Sequence, residues 1–235
     1  MQILNLILDL VFPKRCVSCG KIGQYFCQNC KSKIRFVENQ ICPVCQKPTI
    51  TGATHFRCWT KYSLDGLISA VYYTGPTRTA IHKLKYRWVF SIAEDLVNLI
   101  TSKINFKNLF PKEKFALIPI PLHPKREAER GFNQAEKLAK ILAQKLDWQI
   151  NTAILKRIKN TKPQTELPAK NRRKNVIGAF KVTRPSGVFG TNFILVDDLA
   201  TTGSTLKSAG LTLKRAGAVK VWGLTFARTA PFRLS

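Results

Sequence analysis

The sequence predicts an α/β protein, in which a parallel sheet with flanking helices follows a small cysteine-rich domain. Three observations carry this prediction. From residue 67 onward, strand-like apolar segments alternate with helical patterns. All seven cysteines lie before residue 60. Residues 193–205 pass from an apolar strand through two carboxylates and a small polar loop into a helix. We therefore expect two domains, covering residues 1–62 and 63–235.

Composition bounds the partners of the chain. Hydrophobic residues make up 45% of the 235 residues, and the formal net charge is +26. Such a charge predicts a polyanionic partner, which is nucleic acid, a phosphorylated substrate or an anionic surface, although a solvated lysine-rich surface is the alternative. The apolar run 3–12 is too short to span a bilayer and lacks the basic start of a signal peptide. We expect a short helix there, no transmembrane segment and a cytoplasmic protein.

The cysteines are spaced as metal ligands. Three Cys-x-x-Cys pairs and one His-x-x-Cys pair give eight ligands, enough for two tetrahedral zinc sites. A disulfide framework or a redox pair is the alternative, but the odd number of cysteines and the three closely spaced pairs favour metal. Both sites are predicted to be structural. The predicted ligands are Cys16, Cys19, Cys27 and Cys30 for the first zinc, and Cys42, Cys45, His55 and Cys58 for the second.

The elements of the second domain follow in order. The predicted strands are 67–73, 115–120, 155–158, 179–182, 193–196 and 219–226. The predicted helices are 77–103, in one or two pieces, 134–146, and one that begins after residue 205. Prolines at 119, 121 and 124 end the second strand. The alternation of strands and helices predicts a parallel sheet with right-handed crossovers.

The stretch 193–205 carries the predicted ligand site. Backbone N–H groups at a helix start favour an anion, and Gly203 allows close approach to it. The hydroxyls of Thr201, Thr202, Ser204 and Thr205 add donors. Asp197 and Asp198 would repel phosphate, so ribose hydroxyls or the water shell of Mg²⁺ suit them better. The alternative is an ordinary buried strand followed by a helix that Thr202 or Ser204 caps.

Basic residues are expected to complete this site. Arg126 and Arg130 are four residues apart and would point the same way on a helix, where pairing with nearby glutamates is the alternative. The basic segment 159–175, which includes Arg172, is expected to close over a diphosphate as a lid. These three arginines are therefore candidates for stabilising a leaving diphosphate.

The stretch 193–205 closely resembles the phosphoribosyl-pyrophosphate motif of type I phosphoribosyltransferases. This resemblance implies ribose contacts from Asp197 and Asp198, and 5′-phosphate contacts from Ala200, Thr201, Thr202, Gly203, Ser204 and Thr205. Over nearly its full length the chain also resembles the ComF/GntX family, most specifically in the segment Arg130-Gly-Phe-Asn-Gln134. This sequence departs from the family pattern at two places: His55 stands where the family usually has a cysteine, and Leu199 and Ala200 stand where it usually has a Val-Tyr-like pair.

The family resemblance implies a type I phosphoribosyltransferase-like domain behind two zinc ribbons, and an association with DNA uptake in competent bacteria. The expected ligand is phosphoribosyl pyrophosphate with Mg²⁺, and the expected reaction is transfer of the phosphoribosyl group to an acceptor that the sequence does not identify. The alternative is a non-catalytic protein that binds single-stranded DNA through its charge and its aromatic residues Tyr86, Trp88 and Phe90. Partners in the DNA-uptake machinery are expected in either case.

Overall fold

The computed structural model describes residues 13–84, 90–110, 114–161 and 175–230. The helix predicted for residues 3–12 lies outside this part of the chain. Within the described residues, none of the helices is both long enough and apolar enough to span a membrane.

Little regular structure forms in the cysteine-rich segment. Its elements are α1 (Gln28–Lys31), the antiparallel strands β1 (Gln40–Ile41) and β2 (Pro48–Thr49), and a 3-10 turn at Phe56–Cys58. Elements this short bury little apolar surface by themselves. The segment therefore depends on cross-links and on packing against the rest of the molecule.

The remaining residues form an α/β unit. Its strands are β3 (Gly66–Tyr72), β4 (Ala116–Pro119), β5 (Gln149–Ile150), β6 (Leu155–Arg157), β7 (Phe180–Val182), β8 (Phe193–Ala200) and β9 (Val221–Arg228). Its helices are α2 (Gly75–Lys83), α3 (Phe90–Thr101), α4 (Phe106–Leu109), α5 (Pro124–Arg130), α6 (Gln134–Leu146) and α7 (Ser204–Arg215). Five strands pair in the order β3-β9-β8-β4-β5, and every pair is parallel. The predicted fold class is confirmed.

Strand β8 lies at the centre of the sheet and is buried on both faces. Ile194 and Val196 pack into one core with helices α3 and α6, while Phe193 and Leu195 pack into a second core with helix α7. Successive side chains of a strand point to opposite faces, which explains this division. The strand was predicted to end at Val196, but its pairing with β9 continues to Ala200. Both carboxylates therefore lie inside the strand.

Two predicted strands do not join the main sheet. Strands β6 and β7 pair with each other in antiparallel fashion, with Lys156 opposite Lys181. The expectation of a parallel sheet built from alternating elements does not hold for this pair. The two strands pair only with each other among the described residues, and antiparallel neighbours need no crossover connection.

The cysteine-rich segment packs along the free edge of β3. The N–H of Val37 donates to the carbonyl of Ala70 at 2.9 Å, and the N–H of Tyr72 donates to the carbonyl of Arg35 at 2.8 Å. Val17, Phe26 and Ile34 extend the core that α3 and α6 share. These contacts cover an edge that would otherwise present unpaired backbone groups.

Candidate phosphosugar site and metal centres

The first four predicted zinc ligands converge. The sulfur atoms of Cys16, Cys19, Cys27 and Cys30 all lie within 4.8 Å of one another, and three of the four residues are buried. Gly20 has a φ of 78° and donates its N–H to the Cys16 carbonyl at 2.9 Å, closing the tight turn that aims two thiols at one point. This geometry fits a closed tetrahedral zinc site.

The second cluster contains His55 as its fourth ligand. Cys42, Cys45, His55 and Cys58 also have their ligand atoms within 4.8 Å of one another. The Nδ1 atom of His55 lies 3.3 Å from the Cys45 sulfur, and Nε2 lies 3.0 Å from the Pro48 carbonyl oxygen. A proton on Nε2 therefore donates to Pro48 and leaves Nδ1 free to bind a metal. The histidine fits zinc in place of a cysteine.

The thiol chemistry of the first cluster suits a divalent cation. Burial acts to raise the pKa of Cys16, but hydrogen bonds from the backbone at Cys19, Cys27 and Ser18 outweigh it and lower this pKa to about 6. Burial and the neighbouring thiols raise the pKa of Cys30 to about 12. Close thiols thus resist shared ionisation, and a cation at their centre relieves this conflict.

The two predicted ribose-binding carboxylates have different surroundings. Asp198 is 6% exposed, whereas the side chain of Asp197 is half-buried and accepts the backbone N–H of Asp198 at 2.9 Å. Burial raises the pKa of Asp197 well above its usual range, the charge of Asp198 raises it further, and Arg157 opposes the effect. Asp197 pairs with Thr225 across the sheet, at the end where parallel strands place ligands.

The loop after β8 leaves the start of α7 without a side-chain cap. Gly203 occupies the N-cap position with a φ of 67°, and the hydroxyls of Thr202 and Ser204 lie 2.7 Å apart and bond to each other. The capped helix of the alternative interpretation is therefore not what the structure contains. The free N–H groups of the first helical turn and its dipole favour an anion.

A small cavity of about 60 Å³ adjoins this loop. Three lining residues belong to the loop and two flank the pair Cys42 and Cys45 of the second cluster. The lining residues are Ala200, Thr201 and Gly203, then Ile41 and Gln46, and finally Leu67, Arg228 and Thr229. The sequence does not predict Arg228 as a site residue, because Arg228 lies beyond the end of the last predicted strand.

Arg228 is a buried cation with incomplete hydrogen bonding. It is 3% exposed, and its Nη2 donates to the Asn39 carbonyl at 3.2 Å and to the Tyr72 hydroxyl at 3.1 Å. Its Nε and Nη1 atoms have no hydrogen-bond partner among the described residues. A buried guanidinium with unsatisfied donors is costly, so the charge beside this cavity favours an anionic ligand.

The three arginines predicted to contact the diphosphate differ in their positions and hydrogen-bond partners. Arg126 donates from Nη2 to the Thr161 carbonyl, whereas Arg130 donates from Nη1 to the Gln134 side chain at 3.0 Å. These two bonds have different acceptors, although both arginines belong to α5. Arg172 and most of the predicted lid lie outside the described residues.

Sequence reasoning missed Arg157. This residue is 8% exposed and lies in β6, near Arg126 and Asp197, both of which influence its pKa, although burial is the main cause that lowers it. Strand alternation gives Arg157 the same face as the buried Leu155, so a charged residue on the inward side of a strand was the available signal.

The segment Arg130 to Gln134 has a structural explanation. Gly131 ends α5 with a φ of 78°, and the Asn133 side chain accepts the N–H of Ala135 at 3.0 Å to cap α6. The same side chain donates to the carbonyl of Ile120 at 3.0 Å. Asn133 therefore ties the start of α6 to the end of β4, beside the ligand edge of the sheet.

Comparison with known proteins places the chain in a family. Residues 7–59 match the model of the double zinc ribbon domain. The chain is 30% identical to Competence protein F of Haemophilus influenzae, over 84% of this chain and 95% of that relative. It is 30% identical to Competence protein ComFC of Bacillus subtilis, over 89% and 86%, and 32% identical to the DNA utilization protein YhgH of Escherichia coli O157:H7, over 92% and 98%. On these matches and on the paired cysteine clusters, the chain belongs to the ComF family.

Proposed function

We propose that this protein binds phosphoribosyl pyrophosphate with Mg²⁺ and that it serves DNA uptake. The observation that carries the first part is Arg228, a buried cation beside the start of α7, two of whose donors have no partner in the described part of the chain. An anion there would satisfy the charge and the free N–H groups together. The second part rests on the competence and DNA-utilization names of the relatives.

Each part of the ligand has a group of this chain that suits it. Ala200 to Thr205 would hold the 5′-phosphate, and Asp197 and Asp198 would accept hydrogen bonds from the ribose hydroxyls. Mg²⁺ would neutralise the diphosphate, with the two carboxylates orienting its water shell. Transfer to an acceptor would place Arg126 and Arg130 near the departing diphosphate. A cytoplasmic location is consistent with zinc-bound thiolates, because thiols stay reduced in the cytoplasm.

Titration calorimetry with phosphoribosyl pyrophosphate and Mg²⁺ tests this proposal. The wild-type protein should bind the ligand, and the double variant Asp197→Asn/Asp198→Asn should lose at least about tenfold in affinity. The double variant Glu129→Gln/Asp147→Asn removes the same charge from exposed positions of α5 and the α6 terminus, and it should bind as the wild type does. No binding to zinc-loaded wild-type protein would refute the proposal.

Single-stranded DNA binding is the second candidate function, and one surface favours it. Phe56, Trp59 and Tyr62 are 94%, 51% and 44% exposed on the second cluster's loop. Lys61 and Arg215 place their charged groups 5.7 and 5.9 Å from the centre of the Tyr62 ring. Exposed rings beside cations provide stacking and phosphate contacts for a single strand. The aromatics named from the sequence lie in or next to residues 85–89, outside the described side chains.

Replacement of these rings tests the second candidate. Phe56→Ala/Trp59→Ala should weaken binding of an oligothymidylate by about tenfold, since each stacked base contributes about 1–3 kcal/mol. Phe189→Ala is the matched control, because Phe189 is 79% exposed on another loop. Asp197→Asn/Asp198→Asn should leave DNA affinity unchanged. Equal losses in the ring variant and the control, or binding that salt does not weaken, would contradict DNA recognition at this surface.

A further inference from the structure

Two arginines from distant parts of the chain share one partner. Arg126 in α5 donates from Nη2 to the carbonyl oxygen of Thr161, and Arg157 in β6 donates from Nη2 to the hydroxyl oxygen of the same residue. Because both guanidinium groups bond to Thr161, they lie side by side. Thr161 is itself buried, at 9% exposed, and so is Arg157, at 8%.

Arg157 has both a cation and a carboxylate in its surroundings. Asp197 is the acidic group that attracts Arg157, while Arg126 repels it. No carboxylate among the described residues forms an ion pair with Arg157. A buried guanidinium beside a second cation is costly unless an anion joins them. The arrangement therefore favours a ligand with more than one negative charge.

The position of Arg157 relative to the carboxylates suits such a ligand. A cavity of about 490 Å³ is lined by Arg157, by Pro119 at the end of β4 and by His123 beyond it, and its acidic lining residues are Glu127 and Glu136. In the sheet, Pro119 of β4 pairs with Val196, the residue before Asp197. The cavity thus opens one strand away from the predicted ribose contacts, and the loop that suits the 5′-phosphate lies on the other side of them, at the end of β8.

The orientation of Arg157 is supported from a third side. Its guanidinium carbon lies 5.5 Å from the centre of the Phe180 ring, which belongs to the antiparallel partner strand β7. A guanidinium held against a ring keeps its fork of N–H donors in a defined plane. That geometry matches the paired oxygens of a phosphoryl group.

We propose that Arg157, together with Arg126, binds the diphosphate of the phosphoribosyl ligand. This inference rests on the proposed function and adds to it a binding residue in β6. Arg157 lines the cavity from the β6 side, Arg126 reaches Thr161 from α5, and Thr161 sets the spacing between the two guanidinium groups. The 5′-phosphate and the diphosphate then have separate cationic environments, at Arg228 and at Arg157.

Three ligands separate the two environments in one experiment. Binding of phosphoribosyl pyrophosphate with Mg²⁺, inorganic diphosphate with Mg²⁺ and ribose 5-phosphate is measured for the wild type, Arg157→Gln, Arg157→Lys and Lys181→Gln. Arg157→Gln should weaken the two diphosphate ligands about tenfold or more and ribose 5-phosphate less than about twofold. Arg157→Lys should lie between, because it keeps the charge and loses the fork. Lys181→Gln removes an exposed charge from β7 and should match the wild type.

The outcomes distinguish this inference from the function on which it rests. Wild-type protein that binds inorganic diphosphate through Arg157 but not phosphoribosyl pyrophosphate would refute the proposed function and support the arginine site. Unchanged diphosphate binding in Arg157→Gln with a wild-type unfolding temperature would overturn the inference, as would an equal loss of ribose 5-phosphate binding. If Arg157→Gln does not fold, the loss of diphosphate binding in folded Arg157→Lys decides. Wild-type protein that binds none of the three ligands would overturn both.

Discussion

Asp197 and Asp198 are neighbours in sequence whose side chains leave opposite faces of β8. Asp197 follows the face of Leu195, which packs against α7, and Asp198 follows the face of Val196, which packs against α6. The sequence predicts both residues as ligand contacts but does not distinguish their surroundings. Their surroundings differ because the strand continues through both residues and directs the two side chains to opposite faces of the sheet.

The raised pKa of Asp197 predicts how stability changes with pH. Folded protein holds this proton to a higher pH than the unfolded chain, because burial disfavours the carboxylate. From the usual carboxyl pKa of about 4 up to the raised value, the unfolded chain binds fewer protons, so stability falls as pH rises. Asp197→Asn removes this fall in stability, because asparagine does not ionise. It should therefore unfold at higher urea concentration than the wild type at pH 7.5, and the gap should close near pH 4.

The control for this prediction is Asp147→Asn, at the exposed end of α6. Its stability relative to the wild type should not follow the same pH profile. Lower stability of Asp197→Asn at pH 7.5 would show that attraction from Arg157 outweighs the effect of burial.

Local spacing explains which site residues the sequence could predict. The eight residues predicted as zinc ligands form two clusters, because two residues between the members of each pair determine a turn and the pairs lie close in sequence. Arg157 and Arg228 were missed because their partners are far away along the chain. Arg157 meets Arg126 only through Thr161, and Arg228 reaches the Asn39 carbonyl 189 residues before it. Composition and periodicity carry no information on such pairs.

At the scale of elements, periodicity predicted type better than partner. The helix at Gln134–Leu146 has the predicted bounds, since Asn133 caps its start and Asp147 ends it in a left-handed conformation. Strands β6 and β7 also lie where they were predicted, yet they form a separate antiparallel sheet. A strand pattern of three residues specifies an extended backbone and not its neighbour.

The loop before α7 depends on the conformation of Gly203. Its φ of 67° is strained for any other residue, although an added Cβ would meet the Leu67 side chain only at an ordinary 3.7 Å. Gly203→Ala should therefore lower the free energy of unfolding by about 1–2 kcal/mol through strain and not through crowding. Relief of that strain should shift the N–H groups and weaken binding of phosphoribosyl pyrophosphate, as calorimetry would measure.

Gly190→Ala separates strain from site geometry. Gly190 has a similar φ of 73° with open space around it, on the turn that precedes β8. This variant should lose comparable stability and keep its affinity for the ligand. If Gly203→Ala binds the ligand as tightly as Gly190→Ala does, the loop conformation is not required for binding.

At the scale of the whole molecule, the second zinc ribbon and the loop before α7, which we propose holds phosphate, form one surface. Ile41 and Gln46, which flank the knuckle between Cys42 and Cys45, line the small cavity beside Gly203. Lys207 of α7 donates to the Pro43 carbonyl in that knuckle at 3.2 Å. The sequence predicted the zinc ribbons and this loop in two separate domains. Their contact depends on tertiary packing against the edge of β3.

Loss of the second zinc should therefore weaken binding at the phosphate loop. His55→Ala removes one of four ligands, so zinc content measured by atomic emission should fall from two ions per chain to one. Without the ion, the knuckle that carries Gln46 should loosen, and affinity for phosphoribosyl pyrophosphate should fall about fivefold, the lower range of coupling between sites. His55→Cys keeps four ligands and should restore both zinc and affinity, and His82→Ala, on the exposed face of α2, should change neither.

Retention of two zinc ions by His55→Ala would show that His55 is not a ligand. Loss of one ion with unchanged affinity in a folded protein would show that the ribbon covers the loop without contributing to the binding of the ligand.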